Sequence, residues 1–389
     1  MMTNNAYFCI KGSFMSIIIK EVVGKKDLKK WADFPNKLYK KVPAYVPFLL
    51  NDEINTFTKT KNPAYAFCET KLFLAYKDKQ IVGRIAALIN HAYNKKWNKN
   101  AIRFTRFDFI DNYEVSSALF NEVIKWAKET KLTEVMGPIG FTDLDHEGML
   151  IEGYDELNMT ITFYNHPYYI KHMEALGLKK DIDWVEYQIK VPNEMDPRVE
   201  RISEHLLQRN DYKLVTYNNR KILKKEAYEA FKVIDEAFSV LYGTVPLTYE
   251  IIDKTIKDYI SLVNMKYVCS VKDKDDKMIA FGILVPSTAK AQKKCNGRML
   301  RGIFRLLKAL YGKNETLEMF LIGITKEHQK KGVPAIIMNH IIKTCIENGV
   351  KICETGPELE TNESIQSMWK TFDTRNHKRR RCWIKEINN

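Results

Sequence analysis

The 389-residue chain carries the same order of sequence patterns twice. Each copy begins with two apolar segments of period two that flank a Lys-Asp-Lys turn, a pattern typical of a β-hairpin. In both copies an apolar strand, a helix-periodic segment, a further strand and a Gly-Pro pair then follow. Because this order mixes hairpins with helices, it predicts an α+β protein of two tandem domains, each with a mixed central sheet flanked by helices.

The two copies lie in the two halves of the chain. The successive segments are 72–76, 81–88, 101–110, 116–130, 133–136 and Gly137-Pro138 in the first half, and 266–271, 278–285, 318–324, 334–348, 351–354 and Gly356-Pro357 in the second. The apolar alternation of the first half ends near Val191 to Pro197. We therefore expect an N-terminal domain over 15–195 and a C-terminal domain over 196–389. Residues 1–14 precede a second methionine, Met15, and are interpreted as an upstream start or a disordered tail.

The second half carries extra residues between its hairpin and its Gly-Pro pair, around Ser287 to Lys313. On a helical projection the basic residues of this insertion share one stripe and the apolar residues lie largely opposite: Arg298, Arg301, Arg305 and Lys308 against Met299, Leu300, Ile303, Leu306, Leu307 and Leu310. The alternatives are a surface helix that covers the sheet, and a helix that lies on an anionic membrane or docks on another chain. Gly297 and Gly302 weaken a helix and favour the surface helix.

The chain has 62 Lys+Arg against 48 Asp+Glu, a formal net charge of +14. This balance favours anionic partners, namely a phosphorylated cofactor, nucleic acid or an acidic membrane surface. No apolar run approaches the roughly 18 residues of a membrane-spanning helix, and the first residues lack a signal-peptide pattern. The seven cysteines are scattered without a C-x-x-C pair, which indicates a cytoplasmic protein and argues against zinc.

A basic, glycine-containing turn joins an apolar strand to a helix in the second half. It runs from Gln329 to Pro334 with the sequence QKKGVP, and an apolar-periodic helix follows from Ala335. A helix N-terminus presents unpaired N–H groups and the positive end of the helix dipole, which suit a pyrophosphate, and Lys330 and Lys331 add charge. A turn of this kind standing alone is more often an ordinary connection with solvated lysines.

This turn resembles the Gln/Arg-x-x-Gly-x-Gly/Ala motif of the GCN5-related N-acetyltransferase (GNAT) superfamily. Its surroundings are similar to that fold, because the hairpin, the turn with its helix, the strand 351–354 and Asn362-x-x-Ile365-x-x-x-Trp369 occur in the expected order. The first half resembles the same fold with the phosphate turn lost, since segment 111–115 is acidic and has no glycine. Several short motifs, 42–47, 81–87, Gly137-Pro138, 150–154 and 164–169, resemble a group of bacterial tandem GNAT-fold proteins.

The resemblance implies that the second half binds acetyl-CoA or another acyl-CoA as co-substrate. In such a site, N–H groups near Lys331, Gly332, Val333 and Ala335 would hold the pyrophosphate, and the backbone of Ile322 and Ile324 would pair with pantetheine. The motif positions Gln329, Lys330 and Asn362 complete the expected cofactor site. The acceptor implied is a small-molecule amine or a peptide, and no metal is implied.

Two positions depart from the family pattern. Pro334 stands where Gly or Ala is usual and has no N–H, so one phosphate donor is lost. Trp369 stands where many members carry a tyrosine general acid, and an indole cannot protonate a departing thiolate. The candidates for the base that takes the amine proton are Glu318 and Glu354, although either is more often a carboxylate satisfied by nearby lysines.

Three further clusters of polar or aromatic residues each allow a functional and a structural interpretation. The segment Tyr164 to Tyr169 suggests substrate contact through Tyr164, Asn165 and Tyr168, or equally core packing. Residues 143–147 include four carboxylate or imidazole side chains, but a calcium-loop register is absent, which favours a polar loop at a cleft between the domains. The basic run 377–381 precedes Trp383 without a nucleic-acid motif, so we expect a solvated turn and no nucleic acid.

These patterns leave three function classes open. The leading hypothesis is an N-acyltransferase that uses the turn from Gln329 to Pro334. The second is a catalytically inactive GNAT-fold protein that binds CoA or another phosphorylated ligand as a sensor, which Pro334 and Trp369 favour. The third is a protein that binds nucleic acid or a membrane surface, which the net charge of +14 favours.

Overall fold

The computed structural model of the protein describes residues 16–260 and 262–387. The tail predicted over 1–14 therefore lies outside the described residues. The first half contains β1 (Ile18–Glu21), α1 (Gly24–Leu38), α2 (Leu50–Thr56), β2 (Cys68–Lys77), β3 (Gln80–Asn90), α3 (His91–Trp97), β4 (Ala101–Phe109), α4 (Tyr113–Glu129), β5 (Glu134–Gly137), β6 (Met149–Glu152), α5 (Tyr169–Ala175) and β7 (Lys179–Lys190).

The second half repeats this order with additions. It contains α6 (Pro197–Arg209), β8 (Lys213–Thr216), α7 (Arg220–Phe238), α8 (Tyr249–Tyr259), β9 (Val268–Lys272), β10 (Met278–Pro286), α9 (Ala289–Cys295), α10 (Met299–Tyr311), β11 (Thr316–Ile324), α11 (Val333–Glu347), β12 (Ile352–Thr355), β13 (Glu358–Leu359), α12 (Glu363–Trp369) and β14 (Thr374–Glu386). The mixed α+β architecture predicted from the repeat is confirmed, and the extra residues of the second half include α10, because α9 has a counterpart in α3.

Both predicted hairpins are present. β2 pairs with β3 and β9 pairs with β10, each antiparallel. The first hairpin turns at Asp78 and Lys79, whose φ angles of 50° and 64° are both positive. Two successive positive φ angles are typical of the tight turn whose twist matches that of the flanking strands.

One sheet runs through the whole molecule, in the order β1-β2-β3-β4-β5-β14-β7-β12-β11-β10-β9-β8. The last strand of each half lies in the middle of this sheet: β14 pairs with β5 of the first half and with β7, while β7 pairs with β12 of the second half. The chain connection between the halves falls after Lys190 and before Pro197. The domain boundary at 195 remains a prediction, because the two halves share their central strands.

Each half has an apolar core between the sheet and a long helix. In the first half α4 buries Val115, Leu119 and Phe120 against the sheet, and in the second half α11 buries Val333, Ile336 and Ile337 in the equivalent place. Burial of such side chains is the main favourable term in folding. No helix in the described part of the chain is long and apolar enough to cross a bilayer.

Candidate active site

The strand β11 has one open edge at its carboxyl end. It pairs in parallel with β12 only from Thr316 to Met319, although it continues to Ile324. Thr325 donates its N–H to the carbonyl of Ile279 on β10 (2.9 Å). Because the peptide groups of successive residues in a strand point to alternate edges, those of Ile324 and Ile322 point to the open edge. An open strand edge can add an extended ligand by main-chain hydrogen bonds.

The basic turn follows this open edge directly. Gly332 begins α11 in the left-handed region with φ 78°, a conformation that glycine adopts without strain. Lys331 donates its N–H to the carbonyl of His328 (3.1 Å), and Ala335 donates to Gly332 (2.9 Å). Since Pro334 has no N–H, the first-turn donors that remain for an anion are those of Gly332 and Val333. Lys330 and Lys331 are both exposed.

Two side chains pack close to this turn. The side-chain amide of Gln329 donates to the carbonyl of Ile324 (3.3 Å), so this residue lies against the open strand edge. A Cβ at Gly332 would lie 2.9 Å from the Cδ1 atom of Leu206 on α6. A larger residue at 332 would therefore disturb both the backbone and the packing of α6 on α11.

The equivalent place in the first half is filled by protein groups. The strand β4 pairs with β5 only from Ala101 to Arg103 and continues to Phe109. The hydroxyl of Tyr169 accepts the N–H of Phe109 (2.8 Å), and the hydroxyl of Tyr168 donates to the Phe109 carbonyl (2.5 Å). Asn112 caps α4 by accepting the N–H of Val115 (3.3 Å). The end of β4 and the start of α4 are therefore satisfied internally.

Glu318 lies on β11 beside the point where β11 and β12 separate. Its side chain is almost fully buried, at 1% exposure for the residue. It accepts hydrogen bonds from the hydroxyls of Ser287 (2.6 Å) and Thr160 (3.3 Å). Thr160 comes from the first half and Ser287 begins the insertion, so Glu318 lies where three parts of the chain meet.

Glu354 is the register partner of Glu318 on β12. Residues directly opposed on neighbouring strands point to the same face of a sheet. Burial raises the pKa of Glu318 to about 7, the Ser287 and Thr160 hydroxyls act against this rise, and the neighbouring Glu354 carboxylate adds to it. Burial also raises the pKa of Glu354, against Lys378 and a hydrogen bond from Gln188 (3.2 Å). A carboxylate of this kind can exchange a proton near neutral pH.

A buried ion-pair network borders the two carboxylates. Lys378 and Arg380 on β14 both bind Glu186 on β7; Lys378 Nζ is 3.1 Å from Glu186 Oε2, and Arg380 Nε contacts Oε1. Burial raises the pKa of Glu186, but the two cations outweigh it and lower the pKa to about 2. Arg380 also donates to the carbonyl of Phe163 (2.5 Å) and to Asn158 (2.9 Å).

The prediction of a solvated turn at 377–381 is therefore wrong. These residues lie within β14, where Lys378 and Arg380 are almost fully buried. Arg379 and Arg381 both bind Asp183 at the opposite face of the strand. Side chains alternate between the faces of a strand, so neighbouring acidic residues neutralise these cations on both sides. The run is a part of the sheet with its charges paired internally.

Trp369 occupies the position expected for the tyrosine acid. It is buried in the core of the second half, and its indole N–H donates to both carboxylate oxygens of Glu358 (3.0 Å each). Burial raises the pKa of Glu358 to about 8, against the hydrogen bond from Trp369. Asn362 stands at the N-cap position of α12 without a side-chain capping hydrogen bond, and it donates its backbone N–H to the carbonyl of Leu359 (2.9 Å).

The other predicted residues lie in the first half. Tyr164 donates to the carbonyl of Tyr154 (3.2 Å), and Asn165 accepts the N–H of Leu150 (2.7 Å), so both are held within the protein. In the segment 143–147, Asp145 forms a two-point ion pair with Arg106 (2.7 and 3.0 Å). Among the described residues, no group of three or more His, Cys, Asp or Glu side chains is arranged to hold a metal ion.

The fold now permits a comparison with solved structures. The chain superposes on the tandem GNAT protein from the clavulanic acid biosynthesis pathway with a TM-score of 0.57, at 10% identity, over 96% of this chain and 99% of that one. The chain has the tandem GNAT fold. A GCN5-related glucosamine N-acetyltransferase region of a fungal multi-domain β-N-acetylglucosaminidase also superposes with a TM-score of 0.57, at 11% identity, over 95% of this chain and 38% of that one.

Two curated proteins are similar along nearly the whole tandem GNAT chain. Protein YghO of Escherichia coli (strain K12) is 25% identical over 380 residues, which is 95% of each chain. The bacterial ceramide synthase of Caulobacter vibrioides (strain NA1000 / CB15N) is 21% identical over 372 residues, 93% of this chain and 95% of that protein. No family model matches the chain.

Sequence reasoning predicted Glu318 and Glu354 as site candidates but did not point to Thr160, Ser287 or Lys378, which lie around them. Thr160 is 158 residues from Glu318 along the chain. No local pattern connects such distant residues. The run 377–381 reads HKRRR and has no alternation of apolar and polar residues, so no local pattern indicated that Lys378 is buried.

Proposed function

We propose that the protein is an N-acyltransferase that moves an acyl group from acyl-CoA to a primary amine. The observation that carries this proposal is the open edge of β11, which leads into a basic helix N-terminus and lies beside the buried Glu318. The GNAT fold supports an acyl-CoA donor and an amine acceptor in general terms. We assign the donor to the second half because Tyr168 and Tyr169 fill the equivalent strand edge in the first half.

The donor site would use two kinds of contact. The peptide groups of Ile322 and Ile324 would pair with pantetheine, and Gln329 would release the Ile324 carbonyl for this purpose. The N–H groups of Gly332 and Val333, with Lys330 and Lys331, would hold the pyrophosphate. A backbone N–H of the open edge would polarise the thioester carbonyl.

Glu318 would act as the base in the transfer step. The amine nitrogen attacks the thioester carbonyl carbon, a C–N bond forms and the C–S bond breaks. The proton lost from nitrogen passes through one water to the Glu318 or Glu354 carboxylate, and the CoA thiolate takes a proton from solvent. Trp369 cannot supply that second proton, so positioning of the reactants carries much of the rate.

The acceptor that we propose is a lipid-like primary amine. A ceramide is the N-acyl derivative of a long-chain amino alcohol, so the likeness to the bacterial ceramide synthase over 93% of this chain supports this class. The six described cysteines are all free and buried, which favours a reducing compartment, and we propose the cytoplasm.

The test combines ligand protection with thiol release. Thermal unfolding is measured with acetyl-CoA, CoA and long-chain acyl-CoAs, for wild type, Lys330→Glu and the control Lys274→Glu in the β9–β10 turn. We expect ligand to raise the midpoint of wild type and of the control by more than it raises the midpoint of Lys330→Glu. Lys330 is the better choice than Gly332, whose substitution would also disturb Leu206.

Transfer is then followed as free CoA thiol with a panel of amines that includes long-chain amino alcohols. Because the six described cysteines are buried, they contribute little background to a native thiol assay, and the assay uses the Cys9→Ser variant. Amine-dependent release of CoA supports the enzyme. Protection by acyl-CoA without release for any amine would instead support a CoA-binding sensor, and the absence of both would reject the donor site.

A further inference from the structure

The helix α10 presents an apolar stripe to solvent. Leu300 is 93% exposed and Phe304 is 84% exposed, and Ile303, Leu307 and Tyr311 are exposed beside them. The spacing of 300, 304, 307 and 311 places them along one face of a helix. Large apolar side chains clustered in this way on a surface mark a contact with another apolar phase.

The stripe is not needed to hold α10 on the protein. A neighbouring face of α10 buries Leu306 and Leu310. Gly302 also lies on that side, where a Cβ would be only 2.4 Å from the Cβ of Cys295 on α9. The two glycines that seemed to weaken the helix are therefore packing positions, since Gly297 likewise lies against the carbonyl of Phe48.

A basic flank borders the stripe. Arg298, Arg305 and Lys308 are exposed. The spacing of Arg305 and Lys308 on α10 places them between the apolar stripe and the buried face, and Arg298 precedes the helix as its N-cap residue. In the described part of the chain none of the three forms an ion pair with a carboxylate. The whole insertion from Ser287 to Lys313 contains eight lysines and arginines and no aspartate or glutamate.

We propose that α10 docks the protein on an anionic lipid bilayer. An amphipathic helix lies in the plane of a bilayer when its apolar face enters the acyl boundary and its basic residues meet anionic headgroups. A second copy of the chain fits less well, because it would bring two unpaired basic flanks together. This docking surface goes beyond acyl transfer and does not depend on it.

The position of α10 relates the bilayer to the candidate active site. The insertion begins at Ser287, whose hydroxyl donates to Glu318 (2.6 Å). The insertion also contacts the first half, where Lys293 binds the carbonyl of Pro43 and Leu50 donates to Gly297 (3.0 Å). A docked α10 would hold the junction of the two halves at the membrane surface, where a lipid-like amine is available.

The test is co-sedimentation of the purified full-length protein with vesicles. One set is phosphatidylcholine alone, and the other also contains phosphatidylglycerol. We expect binding to the anionic set, weakened by added salt, and a loss of about tenfold in affinity for Leu300→Ser/Phe304→Ser and for Arg305→Gln/Lys308→Gln. The matched controls on α7 are Ile222→Ser and Lys224→Gln/Lys225→Gln, which should bind as wild type does.

A dye attached at one residue of α10 reports whether that residue enters the bilayer, whatever the net charge of the protein. A Leu300→Cys variant in a Cys9→Ser background is labelled with an environment-sensitive dye, with Ile222→Cys as control. A blue shift on anionic vesicles for position 300 only is expected. The proposal is overturned if wild type does not bind anionic vesicles, if the stripe variant binds equally well, or if light scattering shows a dimer that the stripe substitutions abolish.

Discussion

The two halves differ where equivalent strands end and equivalent helices begin, at β4 and α4 in the first half and at β11 and α11 in the second. In the first half, Asn112 caps α4, Glu114 adds a negative charge, and tyrosine hydroxyls fill the end of β4. In the second half, Gly332 begins α11 without a side-chain cap, and Lys330 and Lys331 precede it. A helix N-terminus that satisfies its own donors has none left for a phosphate. The first half therefore satisfies this strand end and helix start internally, whereas the second half leaves N–H groups open where we propose the donor site.

The third residues of the equivalent strands β4 and β11 also have opposite chemistry, since one is a cation and the other a carboxylate. Arg103 on β4 is fully buried and donates to the carbonyls of Gly140 (2.8 Å) and Gly243 (2.9 Å). Glu318 on β11 is as deeply buried but carries a carboxylate whose pKa burial raises to about 7. Arg103 therefore links a loop of the first half to a loop of the second half by hydrogen bonds, whereas Glu318 can exchange a proton.

The largest effect should come from Glu318→Gln. The amide cannot accept the amine proton, so we expect kcat/KM for acyl transfer to fall about 1,000-fold. The control is Glu315→Gln, an exposed carboxylate just before β11 that binds Lys351. An activity of Glu318→Gln close to that of the control would remove Glu318 from the mechanism.

The first-half counterpart should affect stability instead. Arg103→Met leaves two buried carbonyls without donors, so the free energy of unfolding should fall by about 3 kcal/mol. Urea unfolding measures this change, with Arg209→Met on the surface of α6 as control. If Arg103→Met and the control unfold at the same urea concentration, the scaffold role assigned to this position is wrong.

The pH dependence of kcat/KM should follow Glu318. Only the carboxylate accepts a proton, so the rate should rise with pH up to about 7, by about tenfold per pH unit on the acid side, and then level off. The residual activity of Glu318→Gln should lack this acid limb. A wild-type profile that is flat across the neutral range would indicate a different base.

The smallest effect should come from the charge of the turn. Lys330→Glu places a negative charge beside the N-terminus of α11, so KM for acyl-CoA should rise about fivefold. The first-half variant Glu114→Lys should leave KM unchanged, because that helix start is capped internally. A rise in KM for Glu114→Lys would mean that the two helix starts are less different than the structure indicates.

Much of the fold was predictable because its signals are local. The hairpins at 72–88 and 266–285 and the helices α4 and α11 follow from periodicity and turn residues a few positions apart. The site was predictable in part. Glu318 and the turn from Gln329 to Pro334 lie on elements whose order matched a known fold. Their partners Thr160 and Ser287 were not, because contacts between distant residues leave no local pattern.

The insertion shows a second limit of sequence patterns. Periodicity correctly indicated an amphipathic helix, and the glycines at 297 and 302 favoured a surface helix that covers the sheet. The structure instead divides the apolar residues, with Leu306 and Leu310 buried and Leu300 and Phe304 in solvent. A projection gives the angle of each side chain about the helix axis but not which part of that circle the rest of the protein covers.

The sequence by itself determined the repeated elements, the loss of the glycine turn in the first half and the departures at Pro334 and Trp369. The tertiary structure alone decided that β14 and β7 lie together in the middle of one sheet. It thereby buried Lys378 and Arg380 on Glu186. The physical reason is that helix and turn signals act over a few residues, whereas strand partners and the burial of charge are set by contacts between segments far apart in the chain.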